Sequence, residues 1–124
     1  MYHPDYVKLP RDVYIHCVTT ARRYHLLRER EGQLNTALSE TRSTLSKPES
    51  FRHYQIRNAA SEKIFAIEAA LAESADNAQQ RKVIEMNLFD GIAFKCIPVD
   101  VSMCTMKRIR KRFIYQLAYQ LNEI

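Results

Sequence analysis

The 124-residue sequence predicts an all-α fold, and three observations carry that prediction. Only two glycines and four prolines punctuate it, too few for the frequent turns that sheets demand. No alternating apolar and polar run of useful length is present. Apolar residues recur instead at three- and four-residue steps, the period of an amphipathic helix. With 46% apolar residues the chain can build a core without disulfide or metal staples. The organisation expected is an N-terminal helical segment over residues 1–45, a long central helix over 46–75, and a region over 76–124 that forms one compact domain with that helix. No run approaches the roughly 18 apolar residues of a membrane span. The start Met1-Tyr2-His3-Pro4-Asp5-Tyr6 has neither a charged leader nor an apolar stretch, so a soluble protein of the cytoplasm is expected, with no membrane partner.

The first helix begins about Pro10, where a proline's missing N–H costs nothing. Val13, Cys17, Ala21, Tyr24 and Leu27 form its stripe, with Arg22, Arg23, Arg28 and Arg30 mostly on other faces. The helix is expected to run on past Gly32, through Leu34, Ala37 and Leu38 or Thr41, although an interior glycine costs about 1 kcal/mol against alanine and leaves room for a break there. Residues 41–48 are polar and aperiodic and read as a connection. Ser46 with Glu49 then has the spacing of a capping box. The central helix that follows carries Ala60, Ile64, Ile67 and Leu71 inward, Phe65 and Ala70 on the edge, and ends near Ser74. Asp76 with Gln79 repeats the cap pattern and opens a short helix whose face is Val83, Ile84, Asn87 and Leu88. Gly91 stops it. Ile92 to Val101 is mostly apolar and holds Pro98, which predicts a short helical turn and then a bend. Ser102 caps the last helix, Met103 to about Asn122, with Met106, Ile109, Phe113, Leu117 and Leu121 inward.

Charge singles out this last helix. From residue 102 onward there are five Lys or Arg and one acid, whereas residues 1–101 balance 14 bases against 13 acids, so the formal net charge of +5 is local. At about 100° per residue the apolar stripe faces one way, and Cys104, Lys107, Arg108, Lys111 and Tyr115 the other, with Arg112 on a flank. A charge run on a helix is most often a solvated face. Here, however, the run contains no acid to pair with, and it occupies the first turns after a cap, where recognition helices meet base edges. An α-helix fits the major groove, arginine and lysine donate to guanine edges, and flanking cations neutralise phosphates. The candidate DNA-binding set is therefore Ser102, Met103, Cys104, Thr105, Lys107, Arg108, Lys111, Arg112 and Tyr115. The capped N-terminus at Ser102 also favours a phosphate. Arg81 and Lys82, at the start of the preceding helix, are candidates for backbone contacts or plain solvated surface, as are Arg22, Arg23, Arg28 and Arg30.

Other chemistry finds no support in the sequence. Cys17, Cys96 and Cys104 are odd in number and lack paired spacing, so reduced thiols are expected and no metal site. The histidines His3, His16, His25 and His53 are scattered. Glu62, Glu68, Glu73, Glu85 and Asp90 have no histidine or nucleophile at a spacing that completes a hydrolytic set, so neither catalysis nor a cofactor is expected.

Three stretches resemble the RinA/ArpU-type phage transcriptional regulators, whose C-terminus is similar to region four of sigma-70-type factors. Leu9-Pro10-Arg11-Asp12-Val13-Tyr14, with Arg22-Arg23-Tyr24, resembles the opening helix of that family. Ile67-Glu68-Ala69-Ala70-Leu71 resembles the motif before its helix-turn-helix. Ser102 to Arg108, running into Arg112-Phe113-Ile114-Tyr115 and Ala118, resembles its recognition helix and aromatic core. The resemblance implies a phage- or prophage-encoded, sequence-specific DNA-binding protein that activates late genes through the host RNA polymerase. The fold it implies is an N-terminal helical arm followed by a C-terminal helix-turn-helix like sigma factor region four.

Two rivals predict different behaviour. A phage small terminase subunit would bind packaging-site DNA and assemble a ring. A helical adaptor would dock its basic end on an acidic protein surface and leave DNA alone at moderate salt. Repeated DNA sites would suit a homodimer held by an apolar remnant on the first helix.

Overall fold

A computed structural model of the protein describes residues 8–40 and 47–124. Among the described residues five α-helices carry the fold: α1 (Arg11–Arg22), α2 (Tyr24–Glu40), α3 (Lys47–Ser74), α4 (Ala78–Ile84) and α5 (Met103–Gln120). No strand occurs among the described residues. None of the described helices is long and apolar enough to cross a membrane.

The helix continues past Gly32 as its pattern predicts, but the N-terminal segment is not one helix: it breaks earlier, at Arg23. Gly32 lies inside α2, exposed, with open space where a Cβ would stand. The Thr20 hydroxyl donates to His16 O at 2.8 Å, a back-bond that bends helices, and Arg23 N reaches Thr20 O at 3.1 Å in a tightened turn. Arg23 itself sits at φ −92° and ψ 6°, outside the α region. The two arms then follow different partners: α2 lies along α3, while α1 packs on α5 and on the turn after α4.

The pair α2 and α3 is antiparallel. Arg28 donates to Glu68 at 2.8 Å, Tyr24 donates to Glu68 at 3.1 Å, and Ser61 donates to Glu31, so residue numbers fall on one helix as they rise on the other. Burial along α3 begins only at Ala60; Lys47 to Ala59 contains no buried residue. The outer half of the hairpin is thus a two-helix arm, and the inner half enters the core. Ala60, Ile64, Ile67 and Leu71 are buried as the helical period predicts. Ala70 is fully buried, but Phe65 points outward at 71% exposure and Ala66 takes the inward place. Ser46 of the expected capping box lies outside the described residues; α3 does end at Ser74, whose buried hydroxyl donates to Ala70 O at 2.7 Å.

The cap of α4 is one residue later than the spacing of Asp76 and Gln79 suggests. Asn77 is the cap, extended at φ −153°, and its Oδ1 accepts from Gln80 N at 2.9 Å. Gln80 Oε1 in turn accepts from Asp76 N at 2.8 Å, a reciprocal arrangement that leaves the Asp76 carboxylate free for α5. After Ile84 the helix widens into a π turn, Glu85–Phe89, marked by Asp90 N bonding to Glu85 O at 3.0 Å. The wider step brings Phe89 under the same face as Val83, Ile84 and Leu88, and all four are buried. Asn87 is not part of an apolar face: it is half-buried and makes polar contacts instead. Gly91, at φ +71°, ends the turn in the left-handed region that glycine adopts without strain. A short 3-10 turn, Phe94–Cys96, and a bend then lead to Ser102.

One hydrophobic cluster joins all five helices. At its centre Phe113 of α5 is fully buried and meets Phe89 edge to face at 6.1 Å, and Phe89 stacks on Tyr24 of α2 at 4.5 Å. This aromatic ladder ties the start of α2, the π turn and α5 into one body.

Candidate nucleic-acid interface

The basic helix α5 is built as its sequence pattern requires. Ser102 is the N-cap, extended at ψ 154°, and its Oγ accepts from Thr105 N at 3.2 Å while donating to Thr105 Oγ1 at 2.9 Å. Met106, Ile109, Phe113 and Leu117 are buried, and Leu121 packs half-buried against the cluster. With that face fixed, Ser102, Met103, Cys104, Lys107, Arg108 and Lys111 are all exposed on the first turns, and Thr105 is half-buried. Among the described residues none of Lys107, Arg108 and Lys111 takes part in an ion pair.

Those side chains do not stand on a bare cylinder. Cys104, Lys107, Arg108 and Lys111 line an open groove of about 590 Å³, with Arg110 on its edge and two aromatic walls, Tyr14 from α1 and Phe94 from the 3-10 turn. No carboxylate lines it. Four cations without a counter-charge, beside two aromatic faces, make a surface that attracts a polyanion.

The face ends sooner than a helical projection indicates. Ile114 and Ala118 are buried although they lie toward the basic side, because α1 packs there. Tyr115 is consequently half-buried. It belongs with Lys8, Arg11 and Tyr14 around a second cavity. Arg112 turns away from the groove: its Nη1 lies 3.6 Å from Asp76 Oδ2 and donates to Ser74 O at 3.5 Å. Arg81 is engaged by Glu85 at 3.0 Å along its own helix, while Lys82 is exposed. The structure thus brings Cys104, Lys107, Arg108 and Lys111 together, keeps Ser102, Met103 and Thr105 at the helix start, and separates Arg112, Tyr115, Arg81 and Lys82 from them by burial, pairing or placement on α4.

Three residues of the site escape sequence reasoning. Tyr14 and Phe94 are walls only because α1 and the 3-10 turn converge on α5, and their sole sequence sign is an aromatic ring off the inward stripe. Arg110 is the third. Its Nη1 donates to Asn87 Oδ1 at 2.9 Å, and Asn87 Nδ2 donates to Ile92 O at 2.9 Å, so one network holds α5 to the turn that precedes it. Its buried Nε has no protein partner among the described residues.

Cys104 sits exposed in the groove, as expected of a small side chain there, and Cys96 is exposed as well. Cys17 is buried, and desolvation, reinforced by the Glu123 carboxylate, pushes its thiol up to about 11.

The architecture at this point is that of an all-helical protein with a basic, half-enclosed face on its last helix. The connection from the π turn to α5 runs from Asp90 to Ser102, longer than the roughly three to four residues of a tight helix-turn-helix turn. Compared with protein-family models, curated proteins and solved structures, the chain matches none.

Proposed function

We propose that this protein is a sequence-specific duplex DNA-binding regulator of transcription, with α5 as the helix that enters the major groove. The observation that carries the reading is the set Lys107, Arg108 and Lys111, exposed and without ion pairs among the described residues, on the first turns of a serine-capped helix whose opposite face is core. A solvated face with only a structural role would be expected to carry compensating acids at helical spacing, and none lines this groove. In this reading α4 with its π turn, the bend and α5 act as a helix-turn-helix with an extended turn, in the manner of sigma factor region four. Arg108 reads a base edge, and Lys107 and Lys111 hold phosphates. The role is binding without catalysis. Activation of phage or prophage late genes through host RNA polymerase is the setting that the RinA/ArpU resemblance supplies.

Selection from a random duplex pool at about 0.15 M salt, with a Lys107/Arg108/Lys111 triple alanine variant in parallel, tests the reading. Enrichment of one motif by the wild type alone is expected. Arg108→Ala should cost about 1–3 kcal/mol chiefly on that motif. No enrichment by folded wild-type protein, or equal enrichment by the triple variant, would overturn the proposal.

A further inference from the structure

We infer that the start of α1 is a second part of the DNA-binding surface, a clamp for the phosphate backbone beside the strand that α5 meets; the inference rests on the proposed DNA-binding reading. A cavity of about 400 Å³ lies next to the α5 groove, and the two share Tyr14 and Lys111. Lys8, Arg11 and Lys111 bring three cationic side chains to it, beside the rings of Tyr14 and Tyr115. Leu9 and Ile114 complete it as apolar surface. No carboxylate lines this cavity, and among the described residues neither Lys8 nor Arg11 is in an ion pair.

That chemistry selects its ligand. Three cationic side chains around a largely apolar surface match a phosphodiester, whose oxygens accept hydrogen bonds and whose sugar presents carbon. Because Lys111 and Tyr14 belong to both cavities, a backbone leaving the α5 face passes straight into the second one. The break at Arg23 is what brings α1 there, since it lets α1 leave the line of α2 and lie on α5. The contacts are to phosphate and sugar, so they add affinity and orientation without reading sequence.

The test uses the full chain with Lys8→Gln and Arg11→Gln combined. Both side chains are exposed, so the fold should be unaffected, which thermal unfolding by circular dichroism checks. Binding to the selected duplex and to a random duplex is followed by fluorescence anisotropy between about 0.05 and 0.2 M salt. The slope of log K against log salt should shrink by about 0.9 for each phosphate no longer neutralised, so over that range the variant loses roughly tenfold less affinity than wild type does. The ratio of specific to random binding should not change. A wild-type slope in this variant, with binding still abolished in the Lys107/Arg108/Lys111 variant, would overturn the clamp and leave the α5 reading intact. Loss of motif preference in the Lys8/Arg11 variant would also overturn it, because phosphate contacts carry no sequence information. Absence of DNA binding by the wild type would remove both.

Discussion

Replacing Asn87 with alanine should destabilise the protein well beyond the usual effect of a half-buried polar residue, because Asn87 is the joint between α5 and the turn before it. Its Oδ1 accepts from the Arg110 guanidinium at 2.9 Å and its Nδ2 donates to Ile92 O at 2.9 Å. A hydrogen bond to a charged group contributes about 1.5–3 kcal/mol and a neutral one about 1 kcal/mol. Arg110 borders the open groove, so its guanidinium can turn toward water once freed, which places the net loss near the lower end, about 2–3 kcal/mol. For a chain of this size that lowers Tm by roughly 10 °C. Urea unfolding followed at 222 nm measures the effect. A double-mutant cycle with Arg110→Met should show a coupling of about 1–2 kcal/mol between the two sites. A loss below about 0.5 kcal/mol for Asn87→Ala, or no coupling, would refute the view that this network fixes α5 against the preceding turn.

Ser102→Ala removes the acceptor for Thr105 N and should cost about 1 kcal/mol in urea unfolding. An unchanged midpoint would mean that the cap does not hold the helix start. Cys17 should make stability fall in alkali: the unfolded thiol ionises near its ordinary 9.0 while the folded one keeps its proton to about 11. Its contribution is therefore complete below pH 9 and is lost as pH rises toward 11, by at most about 2–3 kcal/mol. Cys17→Ala should flatten the stability profile between those limits relative to wild type, and parallel profiles would contradict the assignment. Thiol alkylation of native protein should modify Cys96 and Cys104 at once and Cys17 only on unfolding, as peptide mapping would report.

The helical period is enough to place most of the core. Val13, Cys17, Ala21 and Leu27, then Ile64, Ile67 and Leu71, then Met106, Ile109, Phe113 and Leu117 are buried where three- and four-residue steps put them. The departures share one cause: each is set by a contact between elements, which a local pattern does not contain. Gly32 is the weakest helix former in its segment, yet the chain breaks at Arg23, where α1 and α2 turn to different partners. Phe89 misses an α-helical register and is buried because the π turn adds a residue. At the site, the grouping of Cys104, Lys107, Arg108 and Lys111 follows from 100° steps alone. Arg112 and Tyr115 do not follow, since their surroundings are Asp76 on one side and the start of α1 on the other.

If α5 is the recognition helix proposed above, the burial of Ile114 and Ala118 also limits how much sequence one copy can read. The open basic face runs from Met103 to Lys111, and at a rise of about 1.5 Å per residue it is roughly 13 Å long. Base pairs stack about 3.4 Å apart, so one copy of α5 spans about four of them. Four base pairs recur about once in every few hundred by chance, too often to address one promoter among the roughly 10⁶ or more competing positions of a genome. On that reading specific regulation needs repeated half-sites and a second copy, because phosphate contacts such as those of the proposed α1 clamp raise affinity for every sequence alike. The selected motif should therefore be a block of about four base pairs, single at low protein concentration and repeated at a fixed spacing where two copies bind together. A contiguous motif of eight or more base pairs selected by a protein that sediments as a monomer would show that elements other than the first turns of α5 read bases, and would move the recognition surface away from Arg108.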